Sequence, residues 1–390
     1  MAKPTWIGGA TAVAQVTTVV VGSTTSGDTV AIKIGSNVIA TATTSVSGST
    51  ATTIADLVSD WTIDTGAGQN ITPVAATAAN MTLTAKTKGV PFTVTTSTTG
   101  GATATLTSTT PSAGPGDYAI ASNWFGDLKP ASSADDVLIT GDDSIVYNLD
   151  QSALTVRSIR LGPTFSGNLG TIDEFFQINV TAASISGEKF VSQSTGNVYI
   201  NFGVKDVSPV IENTGTVTAG EYSFHLKGTN IATVTFRKGT LRINEAAVVD
   251  RVNQQYSTNK SADTTLEIAN EARITSTLNK TGGKAYYYKT TTVDTPAIVN
   301  TGGDLHLHGN QNVGAVLCGG GTIYHYNTGT TSTTALTVEA SGTIDFTKTE
   351  EAIKFAAPTI RGTGKINYNP GSVTFAGAPA SNGQITIEAV

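Results

Sequence analysis

The sequence predicts a mainly β chain: a right-handed parallel β-helix, or solenoid, preceded by a small α+β domain. Three observations predict it. Of 390 residues, 41 are Gly and only 13% are charged. Thr and Val, which suit the half-buried pleated surface of strands, recur throughout, and Gly supplies turns between them. From about Val137 onward, short strands such as "NVYINFG", "TLRINE" and "GTIYHYN" end in Gly, Asn or Asp, and no helical period persists. Finally, "NTGTVTAG", "NTGGDLHLHGN" and "VEASGTIDF" read as versions of one corner-then-strand unit.

The first domain is assigned to residues 1–113. "DTVAIKI" (Asp28 to Ile34) and "VIATAT" (Val38 to Thr43) flank Gly35, Ser36 and Asn37, which predicts a hairpin. Ile54, Leu57, Val58 and Trp61 recur at helical spacing, one apolar stripe of an amphipathic helix. Thr53 followed by Asp56 resembles a capping box for that helix. "NMTLTAK", "FTVTTST" and "ATATLTS" alternate as half-exposed strands do. "TSTTPSAGPGDY" then reads as a linker, rich in small residues with two Pro and two Gly.

The second domain is assigned to residues 114–390, opening with a capping lead-in over 114–150. Period two places Phe224 and Leu226, Leu241 and Ile243, Leu305 and Leu307, Leu336 and Val338, Ile344 and Phe346, Ile366 and Tyr368, and Ile385 and Ile387 on one inward face. That pattern fits a two-layer sandwich as well as a solenoid. Very short strands and Gly- and Asn-rich corners favour the solenoid over tight hairpin turns. Coils of about 22 residues give roughly eleven rungs. At about 4.8 Å each, they stack into a rod of around 50 Å. "NEAAVVDRVNQQY" departs from the pattern: Val248, Val252 and Tyr256 lie four apart and predict a short helix or decorated loop.

Composition also excludes functions. The net charge is −6 with no basic run, so phosphate-dense nucleic acid is not an expected partner. The longest apolar runs, such as Val16 to Gly22, are too short to span a bilayer, so no membrane partner is expected. The amino-terminal "MAKPTWIGGATAVAQ" lacks a signal-peptide apolar stretch. The single Cys318 excludes an internal disulfide, and its "GAVLCGGG" flanks suit a small buried hydrophobe rather than a nucleophile.

Candidate chemistry is sparse. Asp135 and Asp136 are adjacent, so in a strand they point to opposite faces and cannot form a glycosidase pair. They are expected to accept local backbone N–H bonds. Trp124 is expected to plug the open end of the rod, with Gly126 and Pro130 turning the chain. The sequential acids Asp142–Asp143, Asp173–Glu174 and Glu350–Glu351 read as turn or solvent residues. His306 and His308 leave one strand face, and His325 follows about one coil later. The three are weak metal candidates, since His325 shares a face with inward Ile323. Tyr286 and Tyr288 share one face and Tyr287 takes the other, which suits a subunit interface better than a sugar-stacking wall. No catalytic residue, metal or cofactor is assigned.

The segment "DYAIASNWFGDLKPASSADDVLITGDDSIVYNLDQSALTVRSIRLG" (Asp117 to Gly162) resembles the lead-in of large bacterial and phage β-helical surface proteins. It carries their Asn-Trp, the following Gly and Pro, an Asp-Asp-Val strand and a first stacking strand. It departs in "PASSADDV", with Ala where a Gly often precedes the acids. "GVPFTVTTS" (Gly89 to Ser97) is similar to a module of phage virion proteins. The resemblance covers about residues 5–162. It implies a structural virion component assembled in the host cytoplasm, a capsid decoration or fibre. Such a protein binds other capsid or tail proteins, forms a homotrimer and stabilises the particle or attaches it to a surface. The alternative is a tailspike-type enzyme or lectin acting on host-surface glycan. A secreted adhesin ranks below both, since it calls for an export signal.

Overall fold

The computed structural model describes residues 3–22, 24–44, 49–61, 70–181, 189–203, 206–215, 221–255, 264–288, 294–309, 312–326, 330–349, 353–356, 360–371, 373–376 and 386–389. With 56% strand and 5% helix, the chain is mainly β: a parallel β-solenoid of about 9 turns preceded by small sheets. It divides into two compact units, Gly8–Asp127, and Met1–Ile7 together with Leu128–Val390.

In the Gly8–Asp127 unit, two antiparallel sheets and one helix enclose an aliphatic core. One sheet runs Ile71–Ala75, Asn80–Ala85, Val16–Gly22, Thr103–Thr110; the other runs Asn37–Thr43, Thr29–Ile34, Val94–Thr98. The expected hairpin closes at Ile34 opposite Asn37. The helix spans Thr50–Ser59, and Ile54, Leu57 and Trp61 enter the core with Val19, Val30, Ile32 and Met81. The capping-box reading is corrected. The helix begins a turn earlier, at Ser49, so Thr53 lies in its interior and its hydroxyl donates back to Ser49 O at 3.1 Å.

The stretch read as a linker is tied down within the same unit. Gly114 packs on Gly89 so closely that a Cβ on Gly114 would lie 2.8 Å from the Gly89 Cα. Asn123 is fully buried and ties the Ala10 backbone to the Gly114–Asp117 turn: its Oδ1 accepts from Ala10 N, and its Nδ2 donates to Gly114 O and Asp117 O, each at 2.8 Å. Asn123→Ala is expected to cost about 1 kcal/mol per lost bond. Denaturant titration of the variant checks it.

In the second unit every pairing among the described strands is parallel, which settles the solenoid against the sandwich. One stack of neighbours runs Ile159, Phe190, Pro209. It resumes through Val234, Val252, Leu278, Ile298, Val316, Leu336 and Ile360. A second runs Phe224, Leu241, Leu266, Ala285, Leu305, Ile323, Ile344 and Ile366. Each lap therefore places an apolar side chain directly on that of the lap before, and the interior is one continuous core. There are about 9 turns, fewer than the roughly eleven expected at about 22 residues each. Lap length is not uniform: the Phe224-to-Leu241 lap is short and the Ile159-to-Phe190 lap is long.

The inward faces follow period two. Phe224, Leu226, Leu241, Ile243, Leu305, Leu307, Leu336, Val338, Ile344, Phe346 and Ile366 are all buried. Tyr368 is only half-buried, and the side chains of Ile385 and Ile387 lie outside the described residues. The helix or loop expected around Val248 is corrected: Val248–Gln254 is a strand whose Val252 stacks between Val234 and Leu278. The interior positions are Val249 and Val252, three apart because the strand bulges between Val249 and Arg251, so an irregular strand imitates a helical spacing and the parallel ladder decides between them. Tyr256 lies outside the described residues.

Candidate functional site

At the first rung, the strand Thr5–Trp6 pairs in parallel with Asp136–Ile139, Trp6 opposite Ile139. Trp6 is fully buried, and its Nε1 donates to Asp143 O at 3.2 Å. Trp6, not Trp124, is the tryptophan lying in the strand layer of this rung, where it covers hydrogen-bonding groups that would otherwise be left open. Trp124 is buried within the other unit, edge-to-face with Tyr118 and donating to Tyr118 O at 3.0 Å. Gly126 makes the turn there with φ of 66°, the left-handed region glycine tolerates. Pro130 is buried in the solenoid unit.

Asp135 behaves as expected: one carboxylate oxygen accepts from Ala131 N and Ser132 N, both at 2.9 Å. Asp136 does not cap a turn. It accepts from Arg157 Nε at 2.8 Å and from Ser158 Oγ at 2.5 Å, both one lap later, and pairs with Arg157 Nη2 as well. The Arg157 guanidinium holds its carboxyl down to about 2. The pair is partly exposed, so solvent screens it and it adds little stability. Asp142 and Glu174 are exposed, while burial and the neighbouring Asp142 push the Asp143 carboxyl up. Glu350 and Glu351 lie outside the described residues.

The most concentrated chemistry is a column of outward side chains on one wall. Parallel register stacks Tyr199, His225, Arg242, Glu267, Tyr286, His306, Tyr324 and Asp345 on successive laps. A second row beside it stacks Tyr288, His308 and Tyr326. The rings lie face to face: Tyr286–His306 at 4.7 Å, His306–Tyr324 at 4.9 Å, Tyr288–His308 at 4.6 Å and His308–Tyr326 at 4.5 Å. His306 Nδ1 and Tyr326 Oη, 3.1 Å apart, join the two rows. Burial lowers the affinity of both histidines for a proton. Tyr326→Phe is expected to destabilise by about 1 kcal/mol through loss of that bond, with the ring stack retained; thermal unfolding of the two proteins compares them.

Ring direction follows period two as the sequence implies. Tyr286 and Tyr288 are half-buried on the outer wall, and Tyr287 is inside at 1% exposure. His306 and His308 share the outer wall, whereas His325 is inward, stacked on Phe346 at 4.6 Å. The three histidines are thus divided by the sheet and do not converge. Among the described residues no group of three or more His, Cys, Asp or Glu side chains could hold a metal. Cys318 is fully buried, its thiol pKa is raised by burial, and its Sγ lies 3.4 Å from Thr343 O.

The arrangement limits what the wall can bind. A sugar packs its C–H face on an open aromatic face. Here adjacent ring faces cover one another, and the stacked rings present mainly edges: phenol hydroxyls and imidazole nitrogens. Toward the start of the solenoid the column opens into a cleft of about 270 Å³ lined by Ile172, Asn197, Tyr199, Glu221, Tyr222, His225 and Arg242. Several of its polar groups are tied together, although His225 Nδ1 and Arg242 Nε are buried without a hydrogen bond. Tyr222 Oη donates to Glu267 at 2.7 Å, Arg242 donates to Glu245 at 2.7 Å and lies 3.2 Å from Glu267, and His225 Nε2 lies 2.9 Å from Tyr222 O. Sequence reading missed this cluster, since Tyr222, Arg242 and Glu267 meet only when the laps stack.

No known protein family, curated protein or solved structure matches the chain.

Proposed function

We propose that this chain is a structural protein on the surface of a bacteriophage particle, a capsid decoration or fibre-like component that acts by binding. The Gly8–Asp127 unit anchors to capsid or tail proteins. The solenoid associates as a homotrimer through its outer wall and stabilises the particle or attaches it to a surface. The observation that carries this reading is the wall itself. Its charged and aromatic side chains satisfy one another in lap-to-lap stacks, which makes a rigid binding surface with polar edges. The resemblance of Asp117 to Gly162 to phage β-helical lead-ins supplies the setting.

The cleft at Tyr199, Glu221 and Arg242 favours a second reading, a lectin or depolymerase for host-surface polysaccharide. Quantitative mass spectrometry of purified particles tests the first: the chain is expected in many copies per particle, and its absence would refute the proposal. Release of oligosaccharides from host polysaccharide by the purified chain would establish the second reading instead.

A further inference from the structure

The interior of the solenoid holds a buried amine next to a buried amide. Lys280 and Asn300 are direct partners in the parallel ladder. Lys280 is 1% exposed and Asn300 fully buried. Their side chains converge on one turn: Lys280 Nζ donates to Gly302 O at 2.6 Å, and Asn300 Nδ2 donates to Gly303 O at 3.4 Å and to Gly320 O at 3.0 Å. A Cβ on Gly303 would fall 2.5 Å from Lys280 Nζ, which marks how tightly the amine is packed there. Asn300 Oδ1 is buried with no hydrogen-bond partner. A buried cation and an orphaned amide oxygen on adjacent laps are each unfavourable.

From this placement we infer that Lys280 and Asn300 are the two ends of an intramolecular isopeptide cross-link, formed by the folded chain on itself. Lys280 Nζ adds to Asn300 Cγ, the Cγ–Nδ2 bond breaks, and ammonia leaves with the proton that Nζ loses. No oxidant, reductant or cofactor enters the balance. Two features suit the step. The ladder holds both groups on neighbouring strands, which replaces a bimolecular encounter. Burial pulls the Lys280 pKa down to about 8, so a share of the amine is neutral near neutral pH. The bond would replace a buried charge with one neutral amide joining two laps.

Intact-mass spectrometry of the full chain tests this directly. The expected mass is below the sequence value by one ammonia, about 17 Da, with the Lys280 and Asn300 peptides joined after digestion. Lys280→Arg is expected to restore the full mass. Asn300→Leu, shown to be folded by circular dichroism, is expected to keep the full mass of its sequence and a free Lys280 amine. An unmodified mass with the two peptides separate would overturn the inference. So would an ammonia loss that maps to Asn382–Gly383, where a backbone succinimide gives the same shift. Stability supplies a second readout. A free Lys280 gives up its proton at lower pH in the folded chain, so stability would climb as pH rises from about 8 toward 10.5. The cross-linked chain lacks that slope.

Discussion

Phe190→Ala is expected to lower the stability of the solenoid by about 3–5 kcal/mol. Phe190 is fully buried and bridges interior positions of neighbouring laps. Its ring meets Phe202 edge-to-face at 5.0 Å and Phe224 at 6.1 Å, while its backbone sits between Ile159 and Pro209 in the ladder. Removing the ring leaves a cavity that the surrounding laps cannot close, since their spacing is fixed by backbone hydrogen bonds. Phe190→Leu keeps most of the volume and is expected to cost less than about 1.5 kcal/mol. Denaturant midpoints of the three proteins check both values. A loss under 1 kcal/mol for the alanine variant would mean a loosely filled interior.

Acid is expected to destabilise the chain through His325. It is 3% exposed and stacked on Phe346, and burial pulls its pKa to about 3 from an ordinary value of 6.5. Between those values the unfolded chain binds a proton that the folded chain refuses, so stability falls as pH falls from about 6.5 toward 3. The slope is about 1.4 kcal/mol per pH unit, and the total is on the order of 5 kcal/mol. His306, His308 and His225 shift the same way, also through burial. Asp136, whose pairing with Arg157 disappears as it protonates, adds a loss at lower pH. The difference between the native chain and His325→Leu isolates the one residue. Stability measured by urea titration from pH 7 to 4 should fall more steeply for the native chain. Parallel curves would contradict the assignment.

Much of this was legible in the sequence because a strand wall is a period-two object. Leu305 and Leu307 fix the inward face, and His306, His308, Tyr286 and Tyr288 must then leave the other side. The inward turn of His325 follows in the same way from Ile323. What depended on stacking was not legible. The outer column draws one residue from each lap, and the laps vary in length, so no fixed spacing links Arg242 to Glu267 or Lys280 to Asn300. Local rules also failed where a tertiary contact outweighed them. Two residues, Thr5 and Trp6, carry no period of their own, yet they complete the first rung. Asp136 resembled a turn acid beside Asp135, but the next lap offers it Arg157. Val248 and Val252 fit a helix until a parallel neighbour is placed on each side of Val252.

The central claim is that stacked laps form a binding wall on a phage particle. Cryo-electron microscopy of purified particles tests it most directly. The account predicts external density for this chain, in copies related by three-fold symmetry, with rungs spaced about 4.8 Å apart. Particles that carry no such density, or density resolved as two antiparallel layers, would contradict it.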